Sequence, residues 1–234
     1  MPLLHALPAP AAETAGVAFA LAGEPLVARG SGALWAPRLG LLAVADLHLG
    51  KAARAARTGG AFLPPYETAE TLARLAAEVA DLAPATLVFL GDSFDDPDAA
   101  ARLSETDRAR LAALAAGRRA LWLAGNHDPA PMGARAAAHH AGPLVFRHIA
   151  APDATAEVSG HFHPKATVVA RGRRITRRCF LIDARRVILP AFGAYAGGLD
   201  ATDAAFDALL AADARAVLTG ARPFAAPRAV LAPR

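Results

Sequence analysis

Short apolar runs that end in polar residues recur along the first half of the chain. The runs LGLLAVA, TLVFLGD and RALWLAGNHD have the length and composition of buried strands. Segments with helical periodicity separate them, and this order favours parallel strand pairing with the helices outside the sheet. The predicted strands cover residues 39–45, 86–92 and 119–128.

Two segments between these runs predict helices. Residues 66–80 repeat apolar side chains at helical spacing, and residues 104–116 begin with Ser104 as a plausible N-cap. Asp107 stands three residues after Ser104, in the position that a capping box gives to Glu. The face of the first helix that we expect to be buried carries Leu72, Leu75, Ala76 and Val79.

The remaining chain predicts mainly β-structure. Residues 17–35 place turn glycines between short alternating pieces, which indicates a hairpin or meander. Residues 133–142 predict a helix with His139 and His140 late in it. From residue 144 onward, short alternating runs with little helix indicate an antiparallel sheet. We expect one domain over 1–234, with two packed sheets, a core over about 17–201, and a C-terminal helix and strand packed on it.

Composition excludes several classes of protein. The hydrophobic fraction of 54% suffices for a large core, and much of it is alanine. No apolar stretch reaches the roughly 18–20 residues of a membrane helix, and prolines interrupt the N-terminal start, so we expect a cytoplasmic protein without membrane contact. The single cysteine, Cys179, excludes an internal disulfide and a cysteine-based zinc site. We expect it to be a small, half-buried residue.

Positive charge is concentrated in one segment of a chain whose net charge is only +4. Residues 171–178 read RGRRITRR, and five of these eight residues are arginine. Such a run is typical of a solvated strand or hairpin face. Alternatively, the guanidinium groups form a surface that binds phosphates.

Polar clusters at the strand ends carry the candidate chemistry. They read DLHLG at 46–50, GDSFDD at 91–96, GNHD at 125–128 and GHFH at 160–163. Residues two apart on an extended chain point the same way, so Asp46 and His48 can face one site together. Sites in parallel sheets form beyond the carboxyl ends of the strands, where three of these clusters fall. The clusters are therefore expected to converge.

The residue types indicate a catalytic metal centre. Carboxylates, imidazoles and one amide occur without thiolates, whereas structural zinc is mostly held by cysteines. Seven candidate ligands are too many for one four-coordinate ion, but two ions sharing Asp92 would use them all. Such a pair, with a bridging hydroxide that attacks phosphorus, keeps a residual positive charge suited to an anionic phosphate ester. The candidates are Asp46, His48, Asp92, Asn126, His148, His161 and His163.

His127 is expected to act on the substrate instead of the ions. It follows the candidate ligand Asn126, so its imidazole is placed to protonate the leaving oxygen as a general acid. A carboxylate is needed to orient the ring. Asp95 is the first choice for that role and Asp128 the second.

In order, DLH, GDSFD, GNHD, a later histidine and GHFH resemble the motifs of the calcineurin-like metallophosphoesterases. The resemblance implies an α/β fold, a four-layer α/β/β/α sandwich of two mixed sheets flanked by helices. It also implies two metal sites that share the residue matching Asp92. One ion would be held by Asp46, His48, Asp92 and His163, and the other by Asp92, Asn126, His148 and His161.

A narrower resemblance covers residues 32–201. ADLHLGKAA, GHFHP and the segment from CFLID to AFGAYAGGLDA resemble bacterial DNA-repair endonucleases encoded beside an ATP-dependent DNA ligase and a helicase. This implies a manganese-preferring phosphodiesterase that acts on DNA, with iron or zinc as alternative metals and the ligase and helicase as associated proteins. Without a long cap domain, a homodimer or a partner would complete the substrate groove. Residues 192–198 fit either a glycine-rich turn or a substrate loop.

Other assignments stay open at this point. Lys51, Arg54 and Lys165 are candidate phosphate contacts, although the first two are equally plausible as ordinary helix-face charges. A protein phosphatase is disfavoured because Asp96 stands where that class has arginine, and because GNHD replaces GNHE. The alternatives are a phosphodiesterase or pyrophosphatase acting on small nucleotides, and a non-catalytic scaffold that binds partners.

Overall fold

The computed structural model describes residues 16–128, 132 and 136–234. Its first sheet has six strands in sequential order. The first four pair antiparallel, as the predicted meander requires, and the last three pair parallel with helices between them. Both predictions for this half are confirmed. The strands are Gly16–Leu21 (β1), Glu24–Arg29 (β2), Leu34–Ala36 (β3), Leu41–Val44 (β4), Thr86–Phe89 (β5) and Arg119–Trp122 (β6).

The helices of the described chain follow the parallel strands. They are Lys51–Arg57 (α1), Glu67–Leu82 (α2), Ala99–Arg102 (α3) and Glu105–Ala115 (α4). Helix α2 buries Leu72, Leu75 and Val79 as predicted, whereas Ala76 is exposed. Ser104 caps α4 because its Oγ accepts a hydrogen bond from the Asp107 amide at 3.0 Å.

The second sheet has eight strands, in the order β14-β13-β11-β12-β9-β8-β7 with β10 paired to β11. It is mixed, because β9 pairs parallel with both β8 and β12. The expectation of an antiparallel second sheet was therefore wrong for β9, while the two mixed sheets of the expected sandwich are confirmed. The strands are Ala138–Ala141 (β7), Leu144–Arg147 (β8), Glu157–Ser159 (β9), Lys165–Ala170 (β10), Arg173–Ile182 (β11), Arg186–Ile188 (β12), Arg215–Leu218 (β13) and Phe224–Pro227 (β14).

Two helix predictions were wrong. His139 and His140 lie in strand β7, where they pair with Phe146 and Val145 of β8. This pairing outweighs the helix propensity of the neighbouring alanines. The C-terminal helix is replaced by short 3₁₀ turns at Ala204–Phe206 and Arg228–Val230.

Three apolar layers hold the fold together. A central core lies between the sheets and includes Leu26, Val88 and Phe146. A second core lies between α2, α4 and the outer face of the first sheet. The third covers the outer face of the second sheet, where Phe206 of a 3₁₀ turn packs in place of an α-helix. The sheets therefore dock face to face, and their edges meet where the polar clusters lie.

The remaining structural expectations concern Cys179 and the membrane. Cys179 is fully buried, more so than expected, and burial raises the pKa of its thiol. Within the described residues, no helix has the length and apolarity to span a bilayer. The proline-rich start, including His5, lies outside the described residues.

Candidate metal centre

The site is formed by the segments that follow β4, β5, β6, β8 and β9. Their backbone is unusual, because ten non-glycine residues of the described chain have positive φ and five of these are candidate ligands. A left-handed backbone costs an L-residue roughly 1–2 kcal/mol, so its concentration here indicates conformations kept for function. The five are Asp46 (54°), His48 (46°), Asp92 (44°), His161 (73°) and His163 (50°).

Asp46, His48 and His163 form a first cluster. One potential ligand atom from each residue lies within 4.8 Å of the others. His163 Nε2 is 3.4 Å from His48 Nε2 and 3.4 Å from Asp46 Oδ1. The three side chains therefore point their coordinating atoms at one another, although 115 residues separate the two histidines.

Asp92, His148 and His161 form a second cluster by the same criterion. His148 Nε2 lies 3.4 Å from Asp92 Oδ2 and 3.3 Å from His161 Nδ1. The other ring nitrogen of His148 is 2.8 Å from the carbonyl oxygen of Leu90, which fixes the ring. The structure thus brings His148, the later lone histidine of the sequence pattern, together with two residues from the motifs.

The two clusters are adjacent. Asp46 Oδ1 is 3.7 Å from His148 Nδ1, and Asp46 Oδ2 accepts a hydrogen bond from the His161 amide at 2.9 Å. Asp92 Oδ1 accepts a hydrogen bond from the His127 amide at 2.8 Å. The carboxylates therefore connect both clusters to each other and to the GNHD segment.

The donor set fits divalent metal ions. Within the described chain, Asp46 Oδ1 is buried without a hydrogen-bond partner, an arrangement that is costly unless a cation compensates for it. Ligands about 2.0–2.1 Å from a tetrahedral ion are about 3.3–3.4 Å apart, close to the spacings in both clusters. Carboxylate and imidazole donors suit zinc, iron and manganese alike. The residues therefore fit metal binding without selecting the metal.

Local electrostatics keep Asp92 ionised. Burial alone would raise its pKa, but hydrogen bonds from His148 and from the His127 amide outweigh burial and hold the pKa below its usual range. The pKa of His148 is raised, because contacts with Asp92 and Asp46 outweigh its burial. Burial and the neighbouring His148 lower the pKa of His161. A fixed negative carboxylate among imidazoles is the charge pattern that a cation requires.

His127 contacts Asp95 through a different atom from the one expected. Its Nδ1 lies 3.1 Å from the backbone carbonyl oxygen of Asp95. The Asp95 carboxylate faces His48 Nδ1 at 3.0 Å instead. Asp95 therefore orients the His48 ring with its side chain and the His127 ring with its backbone, and it joins both histidines in a third cluster.

Asp128, the second choice for orienting His127, has a structural contact. Its Oδ2 accepts hydrogen bonds from the amides of Ser93 and Phe94 at 2.8 and 3.1 Å. Burial, reinforced by the charge of Asp92, raises the pKa of Asp128 to about 6. The side chain thus ties the GNHD segment to the loop that carries Asp92 and Asp95.

The other candidates lie at the edge of the site. Asn126 is exposed beside His127. Lys51 Nζ and Arg54 Nη1, both on α1, lie 3.5 and 3.2 Å from the Asp95 carboxylate. Because Asp95 already neutralises part of their charge, the structure gives them an internal partner, while their exposed portions face solvent.

Residues 192–198 pack against the backbone of the first cluster. Phe192 and Gly193 donate amide hydrogen bonds to the carbonyl oxygens of Ala45 and Asp46, at 2.8 and 3.1 Å. A Cβ on Gly193 would lie 2.1 Å from the Leu47 carbonyl oxygen, and one on Gly198 would lie 2.0 Å from that of His163. The glycines are therefore required for close approach, and this segment supports the ligands.

Sequence reasoning missed the side chains that hold this segment. Arg178 Nη2 donates to the Ala194 carbonyl oxygen at 2.6 Å, and the Thr71 hydroxyl accepts from the Ala194 amide at 3.1 Å. Lys165 Nζ lies 3.4 Å from the Ala196 carbonyl oxygen. The run RGRRITRR does not distinguish Arg178 from the exposed arginines before it. Only the position of Arg178 in the paired strands distinguishes it.

Comparison with known proteins finds a likeness among solved structures. No protein-family model matches the chain, and no curated protein matches it. The crystal structure of a nuclease called MPE from Pseudomonas putida is similar, with 29% sequence identity and a TM-score of 0.65. The match covers 90% of this chain and 100% of that one. The likeness therefore extends over most of the chain.

Proposed function

We propose that this protein is a metal-dependent phosphodiesterase that cleaves nucleic acid. The observation that carries the proposal is the pair of adjacent Asp/His clusters at one edge of the sheets. The buried Asp46 Oδ1 in the first cluster has no hydrogen-bond partner among the residues that the structure describes. The likeness to a solved nuclease over nearly the whole chain supports it.

The proposed metal centre is that of a calcineurin-like metallophosphoesterase. Asp46, His48 and His163 would hold one ion, and His148, His161 and Asn126 the other, with Asp92 shared between them. When bound, two divalent ions supply a hydroxide nucleophile near neutral pH and neutralise charge that develops on the phosphoryl oxygens. Manganese is the proposed metal, on the strength of the sequence resemblance.

His127 is proposed as the general acid. If its Nδ1 donates to the Asp95 carbonyl oxygen, Nε2 is the atom free to carry a proton to the leaving oxygen. Its backbone amide donates to Asp92 and its ring contacts the Asp95 carbonyl oxygen, so both parts of the residue are tied to the segment that carries Asp92. Asp95 positions both His127 and the ligand His48, which couples proton transfer geometrically to the metal centre.

DNA is the proposed substrate, and DNA repair the proposed setting. The residues from 32 to 201 support an endonuclease of the ligase-associated type called PdeM, acting in the cytoplasm beside a DNA ligase and a helicase. Lys51, Arg54 and Lys165 would contact phosphates flanking the cleaved bond. The first two would exchange part of their contact with Asp95 for the substrate.

Hydrolysis of bis(p-nitrophenyl) phosphate beside p-nitrophenyl phosphate, with added Mn²⁺, tests the phosphodiesterase. We expect the wild type to turn over the diester and Asp92→Ala to lose that turnover, because the variant removes the shared ligand. Asp98→Ala is the matched control, since the Asp98 side chain is exposed and forms an ion pair with Arg102 at the surface. Absence of turnover of either ester by the metal-loaded wild type would contradict the proposal and favour a binding role.

A further inference from the structure

The β10–β11 hairpin, residues 165–178, carries a charge that the metal centre does not explain. Its sequence KATVVARGRRITRR contains six cationic residues and no acidic ones. The whole chain has a net charge of only +4, so the rest of the protein is net negative. We refer to these fourteen residues as the basic hairpin.

No ion pair in the part of the chain that the structure describes neutralises the exposed arginines of the basic hairpin. Arg171, Arg173, Arg174 and Arg177 are all exposed, and none takes part in the ion pairs found among the described residues. Among residues 16–128, 132 and 136–234, Arg174 and Arg177 donate only to backbone carbonyl oxygens, of Pro233 and Thr219 respectively. Four guanidinium groups therefore remain available to an anion.

The hairpin begins at the metal centre and extends away from it. Lys165 follows the ligand His163 by two residues and pairs with Arg178 at the base of the hairpin. Arg178 in turn holds the carbonyl of Ala194 in the segment packed on Asp46. Six paired residues at about 3.3 Å each give the hairpin a length of about 20 Å. Its tip therefore lies beyond the reach of a single phosphodiester at the metals.

We propose that the basic hairpin binds the phosphate backbone of a nucleic-acid substrate at positions distant from the cleaved bond. This inference rests on the proposed function and adds a second contact surface to it. Guanidinium groups suit such a surface because they form paired hydrogen bonds with phosphate oxygens.

A nucleic acid fits the hairpin better than an anionic membrane does. The exposed aliphatic residues Val169 and Ile175 lie on opposite faces, because Val169 pairs with Arg174 whereas Ile175 pairs with Val168. The hairpin thus has no apolar face to enter lipid, as interfacial binding requires. Cations on both faces and at the turn instead suit a long, flexible polyanion.

The test uses the triple variant Arg171→Gln, Arg173→Gln, Arg174→Gln. Its affinity for a fluorescent 30-nucleotide DNA strand is compared with that of wild type, with EDTA present to prevent cleavage. Loss of three phosphate contacts lowers affinity on the order of 100-fold at about 0.1 M salt, and reduces the slope of log K against log salt by about 2. The triple lysine variant keeps the charge and should keep the slope. Vesicles of pure phosphatidylglycerol serve as the lipid probe.

A second triple variant, Arg38→Gln, Arg108→Gln, Arg119→Gln, is the matched control. These arginines are also exposed, and Arg38 and Arg119 lie at the opposite ends of the parallel strands from the metal centre. The control should bind the 30-mer like wild type. With Mn²⁺, the hairpin variant should lose cleavage of the 30-mer but hydrolyse bis(p-nitrophenyl) phosphate and a 4-mer at wild-type rates.

The outcomes separate this inference from the proposed function. Equal loss of affinity in both triple variants, or an unchanged salt slope in the hairpin variant, would overturn the inference. Loss of vesicle binding by the hairpin variant, with retention of its DNA binding, would also overturn the inference. Failure of the wild type to hydrolyse any diester would refute the proposed function alone, because the binding comparison in EDTA does not depend on catalysis.

Discussion

At the scale of single residues, the metal centre combines strain with incomplete hydrogen bonding. Five candidate ligands have left-handed backbones, and Asp46 buries a carboxylate oxygen that has no hydrogen-bond partner in the described part of the chain. Each feature costs stability by itself. Their concentration within a few ångströms is explained if the folded protein binds metal ions at these residues.

His127→Ala should separate proton donation from metal binding. We expect the variant to keep its metal content, because the ring contacts the Asp95 carbonyl and is not a member of the two ligand clusters. Hydrolysis of a diester with a poor leaving group should fall by about 10²–10⁴-fold, while a p-nitrophenyl diester, which needs less protonation, should lose far less. Steady-state rates for the two esters, with metal analysis, provide the measurement; equal losses on both would eliminate the general-acid role.

At the scale of elements, the segment 192–198 ties the second sheet to the first. It contributes no candidate ligand, but Gly193 and Gly198 approach the backbone of ligand-bearing segments too closely for any side chain. Arg178 and Thr71 hold it from the two sides. The segment therefore acts as a support whose position sets the position of Asp46.

Gly193→Ala should weaken Mn²⁺ binding and diester hydrolysis together. Its Cβ would lie 2.1 Å from the Leu47 carbonyl oxygen, so the segment or the Asp46 backbone must shift. Gly197→Ala is the control in the same segment, because a Cβ there meets nothing within 4 Å. Titration calorimetry with Mn²⁺ and the diester assay provide the readouts. Wild-type affinity in Gly193→Ala would show that the segment does not position the ligands.

An element could be predicted from the sequence where local residues determine it, and could not where contacts with distant segments do. Helix α2 follows from its apolar spacing, and the cap of α4 from Ser104 alone. His139 and His140 could not be placed, because the pairing of β7 with β8 depends on tertiary context that overrides alanine propensity. The parallel pairing of β9 likewise joins segments distant in sequence. For Asp95, the motif predicted the contact with His127, but not whether the carboxylate or the backbone carbonyl oxygen of Asp95 makes that contact. The carboxylate instead faces Lys51, Arg54 and His48.

At the scale of the whole molecule, metal should stabilise the fold. Ions that bind only the folded state add about 2.7 kcal/mol per site to the free energy of unfolding when the free ion is in hundredfold excess over Kd. For a chain of this size, that increase raises Tm by roughly 5–10 °C. Calorimetry in EDTA and in Mn²⁺ measures the shift. Asp46→Asn should reduce the shift without lowering the Tm in EDTA, because it removes a buried charge that lacks a hydrogen-bond partner on one oxygen. An unchanged wild-type Tm in Mn²⁺ would contradict metal binding.

The contacts between distant segments also bear on when the site forms during folding. The amide of His161 reaches Asp46 across 115 residues, and Ala45 bridges to Ala191. Contacts so distant in sequence form slowly, since closing long loops must precede any energetic gain. During synthesis, the ribosome releases Asp46, His48 and Asp92 long before the residues that hold them in place. The nascent chain therefore has no assembled active site, and the nuclease we propose would become active only after both sheets have docked.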